Sequence, residues 1–242
     1  MNPSHLGIIE HQRKTVGTQK GFIVTNANCA ITGLSVALHA LEQRFGPLDA
    51  VIVTTMQAIS GAGYPGVASL DIFDNVVPYI SGEEDKVENE LNKILAPLSE
   101  DSTAFLKRGE GSPESPKLRV SASCNRVPVL DGHTECVSVR FARQPAPSPA
   151  EVAQCLQEFT CEAQSLGCPS APRQAITVHE EQDRPQPKLD RYFQDGAGVS
   201  VGRIRECPVM DIKFVLLANN VSIGAATSSL INAEIAVAQG LI

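Results

Sequence analysis

Apolar residues at Ile31, Leu34, Ala37, Leu38 and Leu41 recur at the three-and-four spacing of a helix, and Gly46-Pro47 stops the run. Just before it, Gly21–Thr25 is a short apolar run that predicts a strand, whereas residues 1–20 are polar and predict no regular element. Asp49–Met56 carries Val51, Ile52, Val53, Thr54 and Thr55 in sequence, the mark of a buried strand. It runs into a glycine-rich loop, Gln57–Gly66, that lets backbone approach a ligand closely or simply turns. Ser81-Gly-Glu-Glu-Asp-Lys86 predicts an acidic helix start with Ser81 as its N-cap, and residues 107–117 predict a flexible polar loop.

Leu118–Ser123 and Cys136–Phe141 follow as strands, the second alternating through Val137, Val139 and Phe141. Ala150–Leu166 has helical periodicity, Ala175–His179, Val199–Arg205 and Met210–Leu217 predict strands, and Ala225–Leu241 predicts a final apolar helix. Strands and helices without regular βαβ alternation imply an α+β fold around one large sheet.

Composition narrows the functions. A chain of 242 residues that is 43% hydrophobic can bury a real core. Its net charge of −7, with no basic tract, argues against nucleic acid as a partner. No apolar stretch is long enough to span a membrane and no signal-peptide core is visible, so the expected setting is soluble and cytoplasmic. Seven dispersed cysteines, with no Cys-x-x-Cys pair and no histidines at zinc-finger distances, imply free thiols and no metal. No Gly-x-Gly-x-x-Gly joins a strand to a helix, so no dinucleotide fingerprint is present.

Two segments carry chemistry. In Phe22–Leu34 an apolar run ends in Asn26-Ala-Asn-Cys29 just as a helix begins. Helix N-terminal amides favour a thiolate and a developing oxyanion there, which suits Cys29 as a covalent nucleophile. Cys124–Glu135 holds Arg126 and His133 in a turn between two strands. Histidine suits the base a thiol requires, and the arginine fork suits a substrate carboxylate.

These segments together resemble aspartate-semialdehyde dehydrogenase in its fungal and archaeal branch. The matches are Val24–Cys29, Thr54–Gly66, Asp74–Ile80, Cys124–Val129 with Gly132–Glu135, and Arg184–Arg191, from Asn2 to about Glu234. The resemblance implies a mixed or antiparallel sheet with helices on one face, like the C-terminal domain of glyceraldehyde-3-phosphate dehydrogenase. It also implies a homodimer built through that sheet. Cys29 would form a thiohemiacetal and then a thioester, His133 would be the acid/base, and Gln57 would orient the acyl group. Arg126 would clamp the α-carboxylate of a small-molecule substrate, Glu84 would meet its amino group, and Lys86 would bind phosphate. Asn220 would be a remaining nicotinamide-side contact.

The departures fall on the coenzyme side. The family carries a Rossmann domain for NADP ahead of its cysteine; here residues 1–28 resemble its last remnant, and 29–242 the catalytic and dimerisation domain. The family's Cys-Ser reads Cys29-Ala30, its His before Cys-Asn-Arg reads Ser123, and its Asn-x-x-Arg-Gly-Ala-Ala reads Asn220–Ala226 with Ile223 in place of arginine. The favoured expectation is therefore an enzyme needing no cofactor in this chain, using Cys29 and His133 for acyl, aldehyde, cyclisation or isomerisation chemistry. The alternatives are an NADP-dependent phosphorylating dehydrogenase, truncated or split, and a non-catalytic partner of a full-length enzyme.

Overall fold

The computed structural model describes residues 2–110 and 116–242. The central part of the loop expected over 107–117 lies outside the described residues.

A 3-10 turn at Pro3–Ile8 leads into α1 (Ile9–Val16) and then α2 (Cys29–Phe45). Strand β1 (Leu48–Gln57), the short helix α3 (Ser69–Ile72) and α4 (Glu83–Ile94) follow. Next come β2 (Arg119–Arg126), β3 (His133–Phe141), α5 (Pro149–Glu158) and α6 (Glu162–Ser165). The chain continues through β4 (Ile176–His179), α7 (Pro187–Asp190), β5 (Val199–Glu206), β6 (Ile212–Ala218) and α8 (Thr227–Ala238).

The strands form one six-stranded mixed sheet in the order β2-β1-β3-β6-β5-β4. The outer pairs β1/β2 and β4/β5 are parallel, and the three inner pairs are antiparallel. Helices α2, α4 and α5 cover one face, burying Leu34, Leu38, Leu41, Leu91 and Leu156 against Val53, Val137, Phe214 and Val201. Gly33 of α2 lies so close to β6 that a Cβ there would stand 2.5 Å from Ala218 Cβ, which seats the helix on the sheet. The opposite face stays open, with Ile52 and Cys136 exposed. This is the expected α+β arrangement. Among the described residues no helix is long and apolar enough to cross a membrane, and no cluster of His, Cys, Asp and Glu could hold a metal.

Several expectations are corrected. Gly21–Thr25 belongs to no strand, because no described strand lies beside it. The Gln12 amide instead brackets Ile23, accepting from its N–H at 2.7 Å and donating to its carbonyl at 3.0 Å. Residues 1–20 are not irregular: α1 forms there and ends on Gly17 in the left-handed conformation. It buries only Ile9, so its sequence shows no apolar stripe.

Ser81 does not cap α4; Gly82, at φ 66°, holds that position. The helix expected over Ala150–Leu166 breaks at Phe159, whose backbone is extended and whose ring packs edge-on against His39 of α2. The last helix starts later than expected, after a π-helical turn at Ser222–Ala226.

Two carboxylates of α4 cover the edge of the sheet. Glu84 and Glu88, one helical turn apart, accept from the N–H groups of Cys124 and Ala122 on β2, each at 3.0 Å. One turn of helix rises about as far as two strand residues, so the two repeats coincide. An otherwise open strand edge is closed.

Candidate active site

Sheet order brings the site together. Strand β1 lies between β2 and β3, so Arg126 at the end of β2 and His133 at the start of β3 flank Gln57 at the end of β1. Arg126 and His133 therefore stand on two strands that do not touch, not in one turn. The segment joining them crosses the end of β1, where Ile59 and Ser60 N–H bond the Val129 and Leu130 carbonyls.

Cys29 begins α2 above this row. Asn28 caps the helix, its Oδ1 accepting from Ala30 N at 2.8 Å and Ile31 N at 3.4 Å. Cys29 Sγ lies 3.4 Å from His133 Nε2. Two close approaches keep the site compact: a Cβ on Gly61 would stand 2.8 Å from Arg126 Nη1, and one on Gly224 would stand 3.0 Å from Cys29 Cβ.

The contact at the other nitrogen of His133 sets its tautomer. Ala58 N–H donates to Nδ1 at 3.1 Å, so Nδ1 holds a lone pair and Nε2 carries the hydrogen of the neutral ring. His133 is wholly buried, and burial, with the charge of Arg126, pushes its pKa down to about 3. In the neutral ring Nε2 thus carries its hydrogen toward the sulfur. Arg126 is also held by residue 58, donating from Nη1 to the Ala58 carbonyl at 2.8 Å.

The electrostatics of Cys29 run opposite to the helix-terminus expectation. Burial and the nearby Glu83 carboxylate raise its pKa above the ordinary thiol value, outweighing the amides of Ala30 and Cys29 and the charge of Arg126. Glu83, which sequence reasoning passed over, is the hub of the site. Its Oε1 accepts from Gln57 Nε2 and from Asn28 Nδ2, both at 3.0 Å. Glu84, expected in this place, points instead to the β2 edge, since neighbours on a helix diverge by about 100°. Lys86 lies at the rim, half-exposed, with Nζ 3.8 Å from Glu83 Oε2.

Asn220, the expected nicotinamide contact, uses its amide internally, donating to Ser60 Oγ at 2.9 Å and accepting from Gly132 N at 2.8 Å. It braces the two loops beside His133.

One row deeper, Glu135 faces Thr55 and Leu216 in register, fully buried, with neither carboxyl oxygen hydrogen-bonded. Burial, with the Glu83 charge, raises its pKa well above the usual carboxylate range. The folded state therefore keeps a proton that the unfolded chain loses, so this contribution to stability is full below pH 4.5 and is lost as pH rises through the folded pKa. Glu135→Gln, which mimics the protonated acid, should flatten that decline, worth up to about 1.4 kcal/mol per pH unit. Urea midpoints measured from pH 5 upwards check this; identical slopes in the two proteins would refute it.

A family profile described as "Semialdehyde dehydrogenase, dimerisation domain" matches residues 38–223. The chain belongs to that family. It is 65% identical to an aspartate-semialdehyde dehydrogenase of Cryptococcus neoformans over 243 residues, covering all of this chain and 65% of that protein. The Saccharomyces cerevisiae enzyme of the same name is 53% identical, again over the whole chain and 66% of its own length. A crystal structure of the Candida albicans aspartate-semialdehyde dehydrogenase with NADP superposes at TM-score 0.88 and 50% identity, covering 100% of this chain and 66% of that one. The chain thus spans about two thirds of the length of these relatives. Their names favour the dehydrogenase alternative over the coenzyme-independent reading set out first.

Proposed function

We propose that this chain performs the acyl-transfer part of a phosphorylating aspartate-semialdehyde dehydrogenase reaction. The observation that carries the reading is Cys29 Sγ at 3.4 Å from His133 Nε2, above a row of Gln57 and Arg126. Cys29 is the nucleophile. In the acylating direction its thiolate attacks the acyl carbon of an aspartyl phosphate, the bond to phosphate breaks, and a thioester forms. The Nε2–H of His133 donates to negative charge, first on sulfur and then on the developing oxyanion.

Arg126 receives the substrate α-carboxylate through the part of its fork not bound to Ala58. Glu83 receives the α-ammonium, in the place first read for Glu84. Such an ammonium offsets the Glu83 carboxylate and so lowers the cost of ionising Cys29. Gln57, held by Glu83, orients the acyl group, and Lys86 at the rim attracts phosphate.

NADP supplies the hydride chemistry of such an enzyme. Asn220, with one amide N–H on Ser60 and its oxygen on Gly132, keeps a second N–H that could meet the nicotinamide side. Residues 1–28 we read as the lead-in from a coenzyme-binding unit to the domain 29–242. In Gly21–Thr25 the side chains of Ile23 and Val24 are exposed, an apolar surface that such a unit could cover. A homodimer through the open sheet face fits both the family's description and the exposure of Ile52.

The acylation step needs no coenzyme and so tests the reading on this chain. Incubation with aspartyl phosphate should add one aspartyl group at Cys29, seen by mass spectrometry and reversed by phosphate. A Cys29 that reacts with iodoacetamide but never with aspartyl phosphate would sink the substrate assignment.

A further inference from the structure

The residue before the nucleophile has every polar atom engaged. Asn28 Oδ1 caps α2, and its carbonyl accepts from Thr32 N and Thr32 Oγ1, each at 3.0 Å. Its side-chain Nδ2 donates to Glu83 Oε1 at 3.0 Å, and its backbone N–H donates to Glu90 Oε2 at 3.2 Å. Glu83 and Glu90 are seven residues apart on α4, about two helical turns, so they share one stripe of that helix. One rigid helix thus grips both the main chain and the side chain of one residue. Glu83 is already occupied with Gln57, whereas no other side chain bonds the Asn28 N–H among the described residues.

We propose that Glu90 is a positioning residue for Cys29: its carboxylate anchors the peptide before the nucleophile, and α4 thereby sets where the sulfur stands against His133. The proposal rests on Cys29 being the nucleophile. Nothing in Glu90 touches the reacting atoms. Removing its acceptor leaves the Asn28 N–H unpartnered in a half-buried place, and that peptide is then free to rotate. The sulfur is a single residue away and depends on a contact of 3.4 Å.

The test uses the intact 242-residue protein and peptide-resolved labelling with iodoacetamide, with Cys207 at the far end of β5 as the internal reference. Glu90→Ala should slow labelling of Cys29 about tenfold, within the range known for small misplacements of reacting groups. Labelling of Cys207 and the melting temperature should stay near wild type. Glu90→Gln keeps an acceptor oxygen and should label Cys29 at close to the wild-type rate.

If Glu90→Ala does not fold, Glu90→Asp gives the same reading, because its shorter arm withdraws the acceptor. Wild-type labelling of Cys29 in a folded Ala or Asp variant would overturn the proposal, as would a Gln variant as slow as Ala. A Cys29 that fails to label even in the wild-type protein would instead overturn the nucleophile reading, and the proposal with it.

Discussion

His133→Ala should slow acylation of Cys29 by about 10²–10³-fold, the usual cost of removing one preorganised donor to an oxyanion. His133→Gln should recover part of that loss, because a side-chain amide can still donate where Nε2 donates. The reason is the Ala58 N–H, which occupies Nδ1 and leaves the ring neutral with its hydrogen toward Cys29. A protonated ring would need a second N–H pointing straight at that amide. The pH profile separates this from general-base catalysis: with His133 titrating near 3, the acylation rate should show no inflection near 6.5. It should instead climb with pH toward the ionisation of Cys29, which lies above 9.0. Stopped reactions with aspartyl phosphate, read by mass, measure all three. A limb near 6.5 that vanishes in His133→Ala would mean that the Ala58 contact opens and the ring works as a base.

The second large effect falls on stability. Arg108→Ala should cost about 3–5 kcal/mol, the range for breaking a buried ion pair by removing one partner. Arg108 is 3% exposed; it bonds Glu42 at the end of α2 and donates to the Leu48 carbonyl at 3.1 Å. Glu42 also accepts from Leu48 N at 2.9 Å, so the pair ties α2 to the start of β1. Burial pushes the Glu42 pKa up while Arg108 pulls it down, and the truncation removes the second effect and leaves the first. The double variant Glu42→Met/Arg108→Met should lose much less, since no uncompensated charge remains. Urea denaturation of the three proteins checks both statements, and a single variant within 1 kcal/mol of wild type, well below that range, would contradict the first.

Neither Arg108 nor Glu42 stands out in the sequence, and the reason is general to this fold. Local pattern reports what a segment buries, so the β-branched run at Val51–Thr55 and the stripe from Ile31 to Leu41 announced β1 and α2 correctly. Pairs far apart in sequence leave no such trace. Gly21–Thr25 reads as a strand because its residues suit one, yet a strand exists only where a neighbour supplies hydrogen bonds. Glu83 and Glu84 are alike in type and adjacent. Only the seating of α4 decides that the first enters the site and the second closes the sheet edge.

By itself, then, the sequence determined the α+β class, the helix that starts at Cys29, and the residue types of a thiol site, because each follows from local periodicity and motif. The tertiary structure decided the rest. Inserting β1 between β2 and β3 set Gln57 between Arg126 and His133. The Ala58 N–H chose the histidine's tautomer, and α4 placed Glu83 beside a thiol that the helix terminus alone would have activated. Electrostatic and hydrogen-bonding roles depend on distance in space, and in this chain those distances are set by strand order and helix seating.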